Sequence, residues 1–146
     1  MALNPTKGLL VYTDGSYSNG GPGGWSWVAV DGFGEHEHDA GFIPPPTTNN
    51  RMEMEAQVQA LDTLYAKYGA CEMEIVSDSQ YVVLGCQYPE RARNANADIW
   101  ARIETSAQLH DHVQWRHVRG HVGVKWNELA DTLAVKARKE ARWQSS

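Results

Sequence analysis

Gly8-Leu9-Leu10-Val11-Tyr12-Thr13-Asp14-Gly15-Ser16 is a short apolar, β-prone run that halts on a polar, turn-prone triplet. Asn19-Gly20-Gly21-Pro22-Gly23-Gly24 follows with the composition of a loop. The pattern predicts a strand and then a glycine turn. Trp25 to Val30 reads as a second strand, Asp31-Gly32 as a tight turn and Glu35 to Ile43 as a third strand, so the chain opens with a three-strand antiparallel meander. Pro44-Pro45-Pro46 suits neither helix nor ladder and takes the chain out of the sheet.

Downstream the period changes. Met54, Val58, Leu61, Tyr65 and Tyr68 fall at three- and four-residue steps from Asn50 onward, and Gly69 ends the run, which predicts a long helix. Met73 to Ser77 is short and β-like, Ser79 to Cys86 a brief helix, and Ile99, Ile103 and Leu109 mark another helix after the polar stretch Pro89 to Asp98. Val113 to Val118 reads as a last strand. Asn127 is placed to cap a final helix with the apolar stripe Ala130, Leu133, Ala134, Ala137 and Ala141. The order is that of one mixed α/β sheet with helices packed against it.

Length and charge bound the function. With 146 residues the chain is expected to form a single domain over 1–146. Thirteen Lys and Arg against eighteen Asp and Glu give a net charge of −5, which by itself argues against a nucleic-acid partner. The distribution is uneven, however: residues 1–114 carry six bases and fifteen acids, residues 115–146 seven bases and three acids. Cys71 and Cys86 are far apart, with no CxxC and no metal-spaced histidine, and read as reduced core thiols. No signal pattern or apolar run of membrane-helix length is present, so a cytoplasmic chain without a membrane partner is expected.

Four acids stand at strand ends and helix starts, where sites gather in α/β folds: Asp14, Glu53, Asp78 and Asp131. Each has a plainer reading. Asp14-Gly15 suits a turn, Asn50-x-x-Glu53 a capping box, Asp78-Ser79 a helix cap, and Asp131 a solvated acid on the flank of the stripe. Taken together they allow four hard oxygen donors around one point. Such a cluster repels itself unless cations bind, and Mg²⁺ or Mn²⁺ suits its donors.

Five blocks now align in order: Thr13-Asp14-Gly15-Ser16 with Asn19 to Gly24; Thr47-Thr48-Asn49-Asn50-Arg51-Met52-Glu53; Ser77-Asp78-Ser79-Gln80-Tyr81; Gly120-His121-Val122-Gly123; and Asn127-Glu128-Leu129-Ala130-Asp131. Together they resemble type 1 ribonuclease H of the bacterial kind, over about residues 8–142. The resemblance implies a ribonuclease H-like fold with a mixed five-stranded sheet, the meander plus parallel strands, flanked by helices. It also implies endonucleolytic hydrolysis of the RNA strand of an RNA–DNA hybrid by two Mg²⁺ ions, leaving 5′-phosphate and 3′-hydroxyl ends. Asp14, Glu53, Asp78 and Asp131 match the family's metal-binding carboxylates, and His121 its loop histidine, associated with proton transfer or product departure. Gly15, Asn19, Asn49, Asn50 and Gln80 match positions that meet the hybrid, and Thr48 one that holds a DNA-strand phosphate. No obligate protein partner is evident, and a monomer is expected.

The departures are informative. Many bacterial members carry a basic, tryptophan-rich protrusion after the Asp78 helix, whereas Gly85 to Ala97 here holds two bases and one acid. Lys125-Trp126 replaces the Pro-acid pair usual in the histidine loop. The C-terminal bases Lys136, Arg138, Lys139 and Arg142, with Trp143, are expected to supply compensating contact. Exposed polar positions explain His36, His38, His110 and His112, and Trp25, Trp27, Trp100 and Trp115 read as packing residues. Two rivals remain open, a non-catalytic hybrid-binding module and another nuclease of the same fold.

Overall fold

The computed structural model describes residues 2–93, 95–119 and 124–143. A 3-10 turn at Pro5–Lys7 leads into strands β1 (Leu9–Tyr17), β2 (Gly23–Asp31) and β3 (His36–Ile43). Helix α1 (Asn49–Tyr68), strand β4 (Glu72–Ser77), helices α2 (Gln80–Gln87), α3 (Pro89–Ala92) and α4 (Ala97–Gln108), strand β5 (His112–His117) and helix α5 (Lys125–Lys139) follow. The sheet order is β3-β2-β1-β4-β5. β1 pairs antiparallel with β2 and parallel with β4, and β4 pairs parallel with β5.

Strand alternation divides the core into two layers. Leu9, Val11, Trp25, Trp27, Ala29, Met73 and Ile75 turn one face of the sheet toward Ala56, Ala60, Leu61 and Leu64 of α1. Tyr12, Val28, Val30 and Val76 turn the other face toward Ala130 of α5. Leu61 and Leu64 are fully buried, each contributing about 1.5–3 kcal/mol by apolar area removed from water. Met54 and Val58 extend the first layer sideways onto Val82, Ile99, Trp100 and Ile103 of α2 and α4.

Several local expectations change. β1 runs on to Tyr17, so Asp14-Gly15 lies inside a paired strand, with Asp14 opposite Ser26, and is not a turn. The first-turn donors of α1 are capped by Thr48, whose side chain accepts from Arg51 N–H. The capping-box reading of Asn50 and Glu53 is therefore wrong: Glu53 lies beyond the first turn and is 4% exposed. Of the Asp78-Ser79 pair expected to cap α2, Ser79 does so, accepting from Val82 N–H. Helix α5 starts at Lys125, so Asn127 is an interior buried residue and not its cap, and Ala141 lies past its end. His110 is buried, where an exposed position was expected: Nδ1 accepts from Cys71 N–H and Nε2 donates to Leu61 C=O. Trp25, Trp27 and Trp100 are buried as expected, and Trp115 is half-buried, donating to Gln57. Between α2 and α4 lies the four-residue α3 in place of a long protrusion. Among the described residues no helix is long and apolar enough to cross a membrane.

Candidate active site

The parallel pairing of β1 and β4 ends at Thr13 opposite Ser77. The next residues, Asp14, still paired to β2, and Asp78, just past β4, therefore stand side by side where the parallel pairing ends, at the carboxyl edge where α/β sheets hold ligands. Asp14 is 4% exposed and Asp78 half-buried.

Two glycines bring helices onto this edge. A Cβ at Gly15 would lie 2.5 Å from Glu53 N and 2.6 Å from Met52 C, so only glycine lets the α1 backbone sit against β1 and carry Glu53 to Asp14. On the opposite face, a Cβ at Gly24 would lie 2.1 Å from Ala134 O. That close approach seats α5 on β2. Ser26 Oγ donates to Ala130 C=O one step along, and the adjacent Asp131 hydrogen-bonds Asp14.

Asp14, Glu53 and Asp78 each offer a carboxylate oxygen within 4.8 Å of the others. Burial first, then the Asp78 charge and the hydrogen bond that protonated Asp14 donates to Asp131, push the Asp14 carboxyl up from 3.8 to about 7. A hydrogen bond from Glu53 and, more weakly, Gly15 N–H, 2.9 Å from Asp14 Oδ1, work the other way without offsetting them. Burial first, then the charges of Asp14 and Asp78, raise Glu53 well above the usual carboxylate range. Glu53 Oε2 is buried with no hydrogen-bond partner among the described residues. A hard divalent cation fits this set: it would satisfy the orphaned oxygen and relieve the mutual repulsion.

The remaining expected residues lie around the same edge. Gly15 is on β1, Asn19 in the exposed turn after it, Thr48 at the cap of α1, Asn49 and Asn50 on its exposed first turn, and Gln80 exposed at the start of α2. His121, with Gly120 and Gly123, lies outside the described residues. Ser16 was not among the sequence candidates, although alternation puts it on the same strand face as Asp14. Its hydroxyl accepts from Arg138 Nε at 2.9 Å.

The RNase H family model matches residues 6–139. Ribonuclease H of Phenylobacterium zucineum is 40% identical over 93% of this chain and 94% of its own length. The crystal structure of RNase H1 from the halophilic archaeon Halobacterium salinarum superposes with a TM-score of 0.75 at 27% identity, covering 91% of this chain and 98% of that one. LC11-RNase H1, solved in complex with an RNA/DNA hybrid, shares the fold with a TM-score of 0.72 at 24% identity, covering 88% and 98%.

Proposed function

The chain belongs to the ribonuclease H family of nucleases, and from that premise we propose that it hydrolyses the RNA strand of RNA–DNA hybrids endonucleolytically, with two divalent metal ions, leaving 5′-phosphate and 3′-hydroxyl ends. The observation that carries the proposal is the convergence of Asp14, Glu53 and Asp78 within 4.8 Å, with Asp131 hydrogen-bonded to Asp14. A neighbour of the same fold binds an RNA/DNA hybrid, which supports the substrate class.

In this reading Asp14, central among the four, would hold the ions together with Glu53, Asp78 and Asp131. Bound Mg²⁺ or Mn²⁺ would supply the Lewis acidity that activates water at neutral pH and neutralises charge on the departing 3′ oxygen. The protein's part is placement. Gly15 holds Glu53 against Asp14, and Gly24 holds Asp131 beside it. The exposed amides of Asn19, Asn49, Asn50 and Gln80 address the minor groove and its 2′-hydroxyl, the group that marks an RNA strand. Thr48 Oγ1 accepts from Arg51 N–H, which leaves its hydroxyl proton for a DNA-strand phosphate. His121 is assigned to proton transfer or product departure.

The test is cleavage of a labelled hybrid with Mg²⁺, set against EDTA, duplex DNA and duplex RNA. Asp14→Asn should lose cleavage at least 100-fold while hybrid affinity stays within about tenfold. Undiminished cleavage by that variant would remove Asp14 from the chemistry, and cleavage of duplex DNA at an equal rate would reassign the substrate.

A further inference from the structure

Among the described residues, the cations up to Arg102 are largely engaged. Arg51 pairs with Asp98, Lys67 with Glu37, Arg93 with Glu104 and Arg102 with Glu55, while Lys7 lies over the Phe33 ring. Arg116 pairs with Glu74. Arg138 differs from all of these. It is half-buried, it makes no ion pair among the described residues, and its one hydrogen bond there runs from Nε to Ser16 Oγ.

Its position is determined at both ends. The Arg138 backbone N would lie 2.8 Å from a Cβ at Gly24, and Gly24 is the register partner of Ser16. Backbone and side chain are thus both held over the Ser16–Gly24 pair. Ser16 stands two residues beyond Asp14 on the same strand face, about 7 Å along β1. Arg138 stands seven residues, two helical turns, beyond Asp131, about 10 Å along the same face of α5. Two independent rulers put the guanidinium one short step from the carboxylate centre. Using Nε as the anchor leaves Nη1 and Nη2 as a free two-pronged donor, the geometry that suits a phosphate.

We propose that Arg138, anchored on Ser16, is a substrate-positioning residue that holds a non-scissile phosphate of the nucleic acid beside the one cleaved at Asp14. The assignment rests on the proposed hybrid-cleaving function and sharpens the expectation of basic contact from the C-terminal helix. In a chain whose α2–α4 connection is only α3 and its flanks, such a contact supplies backbone grip from the opposite side of the site.

The experiment measures binding of a fluorescent RNA–DNA hybrid in EDTA across a salt series, then steady-state cleavage in Mg²⁺. Arg138→Gln should raise Kd and KM about fivefold and leave kcat within about twofold. It should flatten the slope of log Kd against log salt by about 0.7–0.9, the loss of one phosphate contact. Arg138→Lys keeps the charge and should regain most of the slope. Lys67→Gln removes one charge near the far end of α1, some 20 Å from Glu53 and beyond the screening length, and should leave the slope unchanged. An unchanged slope in Arg138→Gln, or an equal loss in Lys67→Gln, overturns the assignment. A wild type that binds the hybrid without cleaving it overturns the proposed function, while the slope comparison still decides Arg138. A wild type that does not bind overturns both.

Discussion

Asp14 is a carboxyl group placed where a carboxylate is disfavoured, and this has a consequence measurable without substrate. Its folded value of about 7 stands above the ordinary aspartate value of 3.8. A raised folded value means that stability is fully present below about pH 4 and is lost as pH rises toward 7, because the folded state must give up a proton it holds tightly. Asp14→Asn removes that loss with little change of shape. In metal-free solution at pH 8 the variant should be more stable than wild type by about 2–4 kcal/mol, and the two should converge near pH 4. Urea unfolding at both pH values checks this, and equal stability at pH 8 refutes it. Four acids were legible as candidates at expected strand ends and helix starts, although Asp14 lies inside β1 and Glu53 beyond the first turn of α1; pairing and packing are what bring them together. His110 was not legible, because burial depends on Cys71 and Leu61, which the fold brings to its ring from 39 and 49 residues away.

At the scale of elements, two glycines set the distances between layers. Gly24→Ala would put a methyl group 2.1 Å from Ala134 O, and this neighbour is helix backbone that cannot rotate aside. The variant should lose about 3 kcal/mol or more in urea unfolding, and in the proposed enzyme it should also lose cleavage as Asp131 withdraws from Asp14. Stability within about 0.5 kcal/mol of wild type would show that α5 is not held by this contact. The start of α1 offers a gentler test. Thr48→Ala should cost about 1 kcal/mol, since Thr48 accepts from Arg51 N–H, whereas Asn50→Ala should stay within about 0.5 kcal/mol. Elements themselves were legible from period and punctuation: the meander, the triple proline and the long helix ending at Gly69 all lie where the pattern places them. Their caps were harder to read. Thr48, Asn49 and Asn50 are adjacent residues that all favour caps, so local pattern does not decide among them, and it is Thr48 that accepts from Arg51 N–H.

At the scale of the molecule, the sheet order β3-β2-β1-β4-β5 could not be read from local pattern, because β1 and β4 pair across the whole of α1. The family resemblance, carried by five short blocks in order, implies a mixed five-stranded sheet with parallel strands, and the order itself comes from the structure. The net charge of −5 that argued against a nucleic-acid partner belongs in part to the site, where two bound divalent ions would leave a formal −1. The ions should therefore act on stability as well as chemistry. A ligand that binds only the folded chain stabilises it by mass action, so about 10 mM Mg²⁺ held with a Kd of about 1 mM adds about 1.4 kcal/mol. For a chain of this size that raises Tm by about 3–6 °C. The rise should be larger at pH 8 than at pH 5, because at pH 5 protons occupy the raised carboxyls of Asp14 and Glu53 and compete with the metal. Asp14→Asn, with the repulsion already relieved and a ligand removed, should shift by less than about 1 °C. The measurement is thermal unfolding followed by circular dichroism, with NaCl matched for ionic strength. An equal rise in wild type and variant would mean that Mg²⁺ acts by screening the acidic surface, and would leave the cluster where the β1–β4 pairing ends without its ions.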